Sequence, residues 1–353
     1  MIRLTHVAIA LLMGAWIAAV PAVACEKPRQ FEGFQTCADL DEAFREGQLV
    51  HYAPDTETAQ AQYLAEFRKM FPQIQTNFLR LQTGALYARL NAERQARTYV
   101  PDSLILTEIG FALDFQRRGG YAQYMSPELK HYKPTEKSTP EGYYTWDNLI
   151  IAGIAYNPNV VKPAEAPKSW KDLLNPRWAN LINVKLSTSG LQHSTWYTLR
   201  ERYGADFWTK FGELKPRGFD SYVQQFDRTV SGQDHIAATG QYSGYLIAKA
   251  KGAPIEFVIP EEGLNVTPGV IGVVDKAPHP NVARLFIDWY LGIPGQIAMT
   301  RSTMNYSPRA DVPPPPGGQP MAGEKMMVPG NWDDFLKSHS QYVREWDRMV
   351  GMR

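Results

Sequence analysis

Thiols are scarce in this sequence. Only two cysteines, Cys25 and Cys37, occur in 353 residues, which leaves no thiolate set for a metal site. An excess of either charge is missing too. Lys and Arg number 37 against 36 Asp and Glu, a formal net charge of +1. Such a balance gives no basic face for nucleic acid and no acidic tail. Mean hydropathy is −0.35, which argues against a polytopic membrane protein. Motifs are missing as well. HExxH, GxSxG, GxGxxG and a complete GxxxxGK[ST] do not occur. No nucleophile, base and orienting acid declare themselves as a set. The expectation is a non-enzyme with no resident cofactor and no metal.

What is present is ordinary globular composition, 44% apolar and 21% charged. The length exceeds one small core and suggests two lobes. Residues 1–24 stand apart. Arg3 supplies a positive start, residues 7–20 are almost wholly apolar, and Ala22-Val23-Ala24 is a small-residue cleavage site. They read as a secretory signal peptide, which places the mature chain in the periplasm. Cleavage leaves Cys25 first. An even pair in an exported chain suggests a Cys25–Cys37 disulfide closing a short loop. Lipid attachment at Cys25 is the alternative, opposed by Ala22 and by the stranding of Cys37.

Periodicity then gives a βαβ start: a strand at 49–53, a helix at 59–71, a strand at 74–79. A helix at 85–97, an apolar run at 103–106 and a helix from Phe111 follow. The loops Pro54-Asp55-Thr56, Gln82-Thr83-Gly84 and Thr107-Glu108 fall at strand ends, where open α/β sheets hold ligands. Asp55, Glu57 and Glu108 are cleft carboxylates, or else turn formers and caps. The long extended run at 143–156 crosses between lobes and carries Trp146, which offers a ring for a planar ligand. Residues 183–197 read as strand, loop, helix. Ser187 and Ser189 are both candidate N-caps, and with Thr188 and Gly190 they leave amino-end N–H groups reachable by an anion. Gln241-Tyr242-Ser243 opens another helix, with Tyr245 three residues on. Phenolates bind ferric iron, whereas neutral phenols donate to anions. His51 sits in a strand, where a structural role is the default; a mononuclear metal site drawn from His51, His193 and His235 is the alternative. Residues 313–318 form a proline-rich surface excursion, and 332–349 an amphipathic helix packed on a lobe.

Several stretches carry a resemblance in order along the chain. They include Val50-His51-Tyr52-Ala53, residues 65–72, 84–94, Pro101-Asp102-Ser103-Leu104 and Gly153-Ile154-Ala155-Tyr156-Asn157. Residues 170–177, Ser187-Thr188-Ser189-Gly190, 250–256, 260–263, 277–280 and 285–289 complete it. The chain resembles periplasmic solute-binding proteins of bacterial ABC importers, the family that takes ferric iron, phosphonates or sugar phosphates. That resemblance implies an α/β, two-lobed type II periplasmic binding protein fold with crossing hinge strands. Lobe 1 is then 25–150, lobe 2 is 151–272, and 273–353 returns to lobe 1 with a hinge segment and C-terminal helices. Ser187–Gly190, Gln241, Tyr242 and Tyr245 face Pro54–Thr56, Gln82–Gly84, Glu108 and Trp146 across the cleft. Iron-binding members use adjacent tyrosines, and here Ser243 follows Tyr242. The expected ligand is therefore a small organic anion, handed by a monomer to an inner-membrane ABC permease. Ferric-iron transport is the alternative, with a periplasmic hydrolase or a sensor partner behind it.

Overall fold

The computed structural model describes residues 25, 27–321 and 323–351. The signal-peptide expectation for 1–24 lies outside them. The chain begins with the hairpin β1 (Arg29–Phe31) and β2 (Phe34–Thr36), then α1 (Leu40–Glu46). A parallel unit follows: β3 (Gln48–Ala53), α2 (Glu57–Met70), β4 (Gln75–Arg80), α3 (Thr83–Gln95), β5 (Ser103–Leu106) and α4 (Ile109–Arg117). Next come β6 (Thr145–Tyr156), β7 (Ile182–Lys185), α5 (Gly190–Tyr203), α6 (Asp206–Glu213) and β8 (Arg217–Phe219). Then come α7 (Tyr222–Val230), β9 (Ile236–Gln241), α8 (Tyr242–Ala250), β10 (Glu256–Val258) and β11 (Leu264–Val273). The last elements are α9 (Pro280–Leu291), α10 (Ile293–Thr303), β12 (Met326–Met327) and α11 (Trp332–Met349).

The main sheet runs β4-β3-β5-β11-β6-β9-β7-β8. β3, β4 and β5 are mutually parallel, as are β7, β8 and β9. Between these blocks lie β6 and β11, antiparallel to each other over most of their length. The carboxyl half of β11 pairs with β5, and the carboxyl end of β6 pairs with β9 and β10. Each therefore belongs to both lobes. The sequence run 143–156 is the first crossing strand. The second begins earlier than its apolar signal, at Leu264, because Asn265 and Thr267 interrupt that signal.

Alternation along the strands builds a core on each face. In lobe 1, Ile105 faces α1, α2, α9 and α10, whereas Leu104 and Leu106 face α3 and α4. In lobe 2, Ile236 and Ala238 join Trp196, Leu199, Phe207 and Phe211 of α5 and α6. Ala237 turns the other way, toward Phe226 of α7. The disulfide is present, Cys25 to Cys37, with 5.9 Å between Cα atoms.

Five elements went unread in the sequence: β1, β2, β8, β12 and α10. β8 is three residues long, and β1–β2 is a short hairpin. α10 begins Ile293-Pro294-Gly295, which reads as a turn. The proline is tolerated in a first turn, and Gly295 is needed because a Cβ there would stand 2.3 Å from the Trp289 carbonyl oxygen. α9 and α10 pack into the lobe 1 core, and α11 packs elsewhere. Phe335, Tyr342 and Trp346 of α11 join the lobe 2 core. Their spacing of seven and four residues places them on one stripe.

Candidate functional site

Parallel strands bring their carboxyl ends to one edge, so the following helices begin there with unpaired N–H groups. In lobe 1, Thr56 caps α2 by accepting from Ala59 N at 3.2 Å. Gln82 and Glu108 occupy the caps of α3 and α4 without a side-chain cap bond. Thr83 starts α3, its Oγ1 sharing a 2.7 Å hydrogen bond with Thr107 Oγ1. Gly84 faces open space. Asp55 is enclosed, and burial pushes its carboxyl up to about 6 against an opposing hydrogen bond from Tyr63.

In lobe 2, Ser189 is the cap of α5, accepting from Gln192 N at 3.3 Å. Ser187 is buried and is not the cap. Thr188 Oγ1 donates to Asp220 at 2.8 Å. Gln241 caps α8 by position, while its amide donates to Ser243 Oγ at 2.8 Å.

The two lobes meet at one point of this edge. A Cβ on Gly190 would stand 2.8 Å from Glu108 Cγ and 3.0 Å from Glu108 Oε1. The Glu108 carboxyl thus lies against the amino end of α5. Burial pushes it up to about 7. Lys185, at the end of β7, is pushed down to about 8 by burial, with Asp220 opposing. Arg80, at the end of β4, has its Nε buried without a hydrogen-bond partner among the described residues.

Other expected site residues sit differently. Tyr242 is buried among Leu149, Leu246 and Tyr306, with ring centroids 5.7 Å from Tyr306 and 5.4 Å from Tyr245. Tyr245 packs at the edge of that cluster. Trp146 packs between the lobe 1 core and the same cluster, so its ring is largely committed to the fold. Tyr144 is core.

The sequence reading passed over a buried polar pair on the first crossing strand. Asp147 and Asn148 are fully buried on β6. Asp147 accepts from Asn148 Nδ2 at 3.0 Å and from Tyr290 at 3.4 Å. Asp147 Oδ1, Asn148 Oδ1 and Thr267 Oγ1 have no partner among the described residues. Burial, then the charge of Asp55, holds Asp147 far above the usual carboxylate range. Gly269 of β11 makes room: a Cβ there would stand 2.5 Å from Asp147 Oδ1. Two adjacent polar residues inside an apolar crossing strand were the available signal.

The arrangement is two α/β lobes, joined by two strands, with helix amino ends and polar loops facing across a cleft. A family model described as bacterial extracellular solute-binding protein matches residues 99–338, most of the chain. The chain belongs to that family. Iron uptake protein A1 of Synechocystis sp. is 24% identical over 281 residues, covering 74% of this chain and 75% of that protein. Among solved structures, iron-bound HitA from Pseudomonas aeruginosa superposes with a TM-score of 0.74 at 20% identity, over 86% of this chain and 99% of that one. The periplasmic binding protein AfuA from Actinobacillus pleuropneumoniae, with fructose-6-phosphate bound, gives 0.72 at 19%, over 87% and 99%. These likenesses establish the type II periplasmic binding fold.

Proposed function

We propose that the chain captures a small organic solute carrying an acidic group and delivers it, as a monomer, to an ABC permease of the inner membrane. The observation that carries this reading is the approach of Glu108 to Gly190. It sets Glu108 of lobe 1 against the amino end of α5 in lobe 2, where N–H groups and the helix dipole favour negative charge. Arg80 Nε and Lys185 add donors at neighbouring strand ends. AfuA, which shares the fold, has a sugar phosphate bound.

A second reading is ferric iron. Tyr245 and Tyr306 each lie within 5.7 Å of Tyr242 between ring centroids, one relative is named an iron uptake protein and one structural neighbour is iron-bound. Against it, Tyr242 lies in an apolar cluster and Ser243 stands where an adjacent phenolate would be. Native mass spectrometry of the purified chain, then calorimetry with sugar phosphates, carboxylates and ferric citrate, decides. Ferric binding below micromolar Kd that Tyr242→Phe abolishes would transfer the function to iron. Reversible binding without turnover separates both readings from a hydrolase.

A further inference from the structure

His193, on α5, is a buried imidazole with an unused lone pair. Its ring is sandwiched between Phe335 and Tyr342 of α11, at centroid distances of 4.1 and 4.7 Å and 19° from each plane. His193 Nε2 lies 3.1 Å from Ser338 Oγ. The Ser338 hydroxyl already donates its proton to Phe335 O at 2.7 Å. It therefore accepts from His193, and Nε2 carries the hydrogen. Nδ1 is left as the free lone pair, buried, with no partner among the described residues. The Tyr342 hydroxyl is also buried without a partner.

Around this imidazole the fold gathers two more ligand types. Glu108, His193 and His339 each place one ligand atom within 4.8 Å of the other two. They come from three different elements: the start of α4 in lobe 1, α5 in lobe 2, and α11. An ion held at about 2.1 Å by tetrahedral ligands separates them by about 3.4 Å, so modest side-chain rotation closes the set. His339 is the most accessible of the three and has the freedom to move.

We propose that Glu108, His193 and His339 form a binding site for a divalent transition-metal ion that bridges the two lobes and α11. Two imidazoles and one carboxylate suit zinc, nickel or copper rather than magnesium or calcium. The Ser338 hydrogen bond fixes the tautomer, the role that outer partners play at histidine metal sites. Because Glu108 reaches the other ligands from the opposite lobe, the ion binds the closed form and favours closure by mass action. The site uses none of the tyrosines on α8. It goes beyond the solute reading but shares Glu108 with it and rests on the same contact between the lobes.

The test uses the mature chain, stripped with EDTA and dialysed. Calorimetry and thermal melts are run with zinc and nickel chlorides, and with magnesium as control. The expected result is one ion per chain, a raised Tm, and at least tenfold weaker binding in His339→Ala and in Glu108→Gln. His193→Ala risks the aromatic stack; His339→Ala spares it and keeps the proposal testable. Tyr242→Phe is expected to bind zinc unchanged. Absence of stoichiometric zinc or nickel binding overturns the proposal, as does undiminished binding in both variants or loss in Tyr242→Phe. Solute calorimetry in EDTA tests the transport reading separately, since it proceeds without the ion.

Discussion

Substituting Gly190 probes the closed contact directly. Gly190 is the first residue of α5, with no positive φ to maintain, so Ala is compatible with the backbone and improves helix propensity. The obstacle lies across the cleft. The new Cβ would stand 2.8 Å from Glu108 Cγ and 3.1 Å from Cδ, well inside contact distance. Cγ is close to the Glu108 backbone, so rotation about the outer bonds alone does not clear it. Overpacking of this kind costs about 1–3 kcal/mol. The cost falls only on the closed state, because separated lobes remove the clash. A ligand that needs closure then loses about 5- to 150-fold in apparent affinity, at 1.4 kcal/mol per decade. Global stability is expected to hold or rise slightly. One spin label on each lobe gives the interlobe distance, which is expected to lengthen in Gly190→Ala. Calorimetry with the solute identified by mass spectrometry gives the affinity. Adding Glu108→Ala is expected to restore closure, which distinguishes the clash from a damaged α5. A variant that closes like the parent, with unchanged affinity, refutes the placement of these two residues at the lobe contact.

Other expectations follow from the surrounding structure. Asp288 on α9 accepts from Thr36 Oγ1 at 2.6 Å and Cys37 N at 3.1 Å, and burial pushes its carboxyl up to about 7. Its folded pKa lies above the unfolded value, so the folded state holds the extra proton. The stability from this group is full below about pH 4 and is lost as pH rises toward 7. Asp288→Asn is expected to flatten that part of the stability curve in denaturant titrations at pH 4 to 7; an unchanged slope would contradict it. Reducing Cys25–Cys37, a 12-residue separation, is expected to cost about 3 kcal/mol in the chain-entropy model, read as a lower denaturant midpoint with dithiothreitol. No change in midpoint would count against the bond as a fold constraint.

Much of the fold was legible because periodicity and position agree. The βαβ start, the run at 143–156 and the cap before α5 all follow from local patterns that the structure keeps. What stayed hidden depends on partners distant in sequence. Asp147 looked like one polar residue in a strand, yet its burial is decided by Tyr290 and Gly269, more than a hundred residues away. Tyr242 looked available at a helix start, but Tyr306 and Leu246 enclose it. His193 offered nothing locally, since its neighbours Phe335, Ser338 and Tyr342 come from α11. A short side-chain list at a strand end marks where a cleft lies. It does not show which of those side chains the far half of the chain covers.

The position of α11 bears on how the lobes move. The helix touches both, which suggests a strap, but the two contacts differ in kind. Toward lobe 2 it buries Phe335, Tyr342 and Trp346, and the Trp346 indole donates to Lys185 O at 2.8 Å. Three large buried side chains are worth several kcal/mol together. Toward lobe 1 it presents Leu336 against Gly110, the partly buried Trp332 at the edge of the α3–α4 core, and the ion pair Arg117 to Asp333 at 2.6 Å. Both partners of that pair are more than half exposed, so solvent screening leaves it little weight. When the cleft opens, the weaker contact gives way, and α11 travels with lobe 2 while β6 and β11 flex. Arg117→Ala is therefore expected to leave the closed population, read by interlobe spin-label distances, within about threefold of the parent. Trp346→Ala is expected instead to lower the stability of lobe 2 by about 3–5 kcal/mol. If Arg117→Ala alone opens the molecule, α11 is a strap and the division of its contacts argued from burial is wrong.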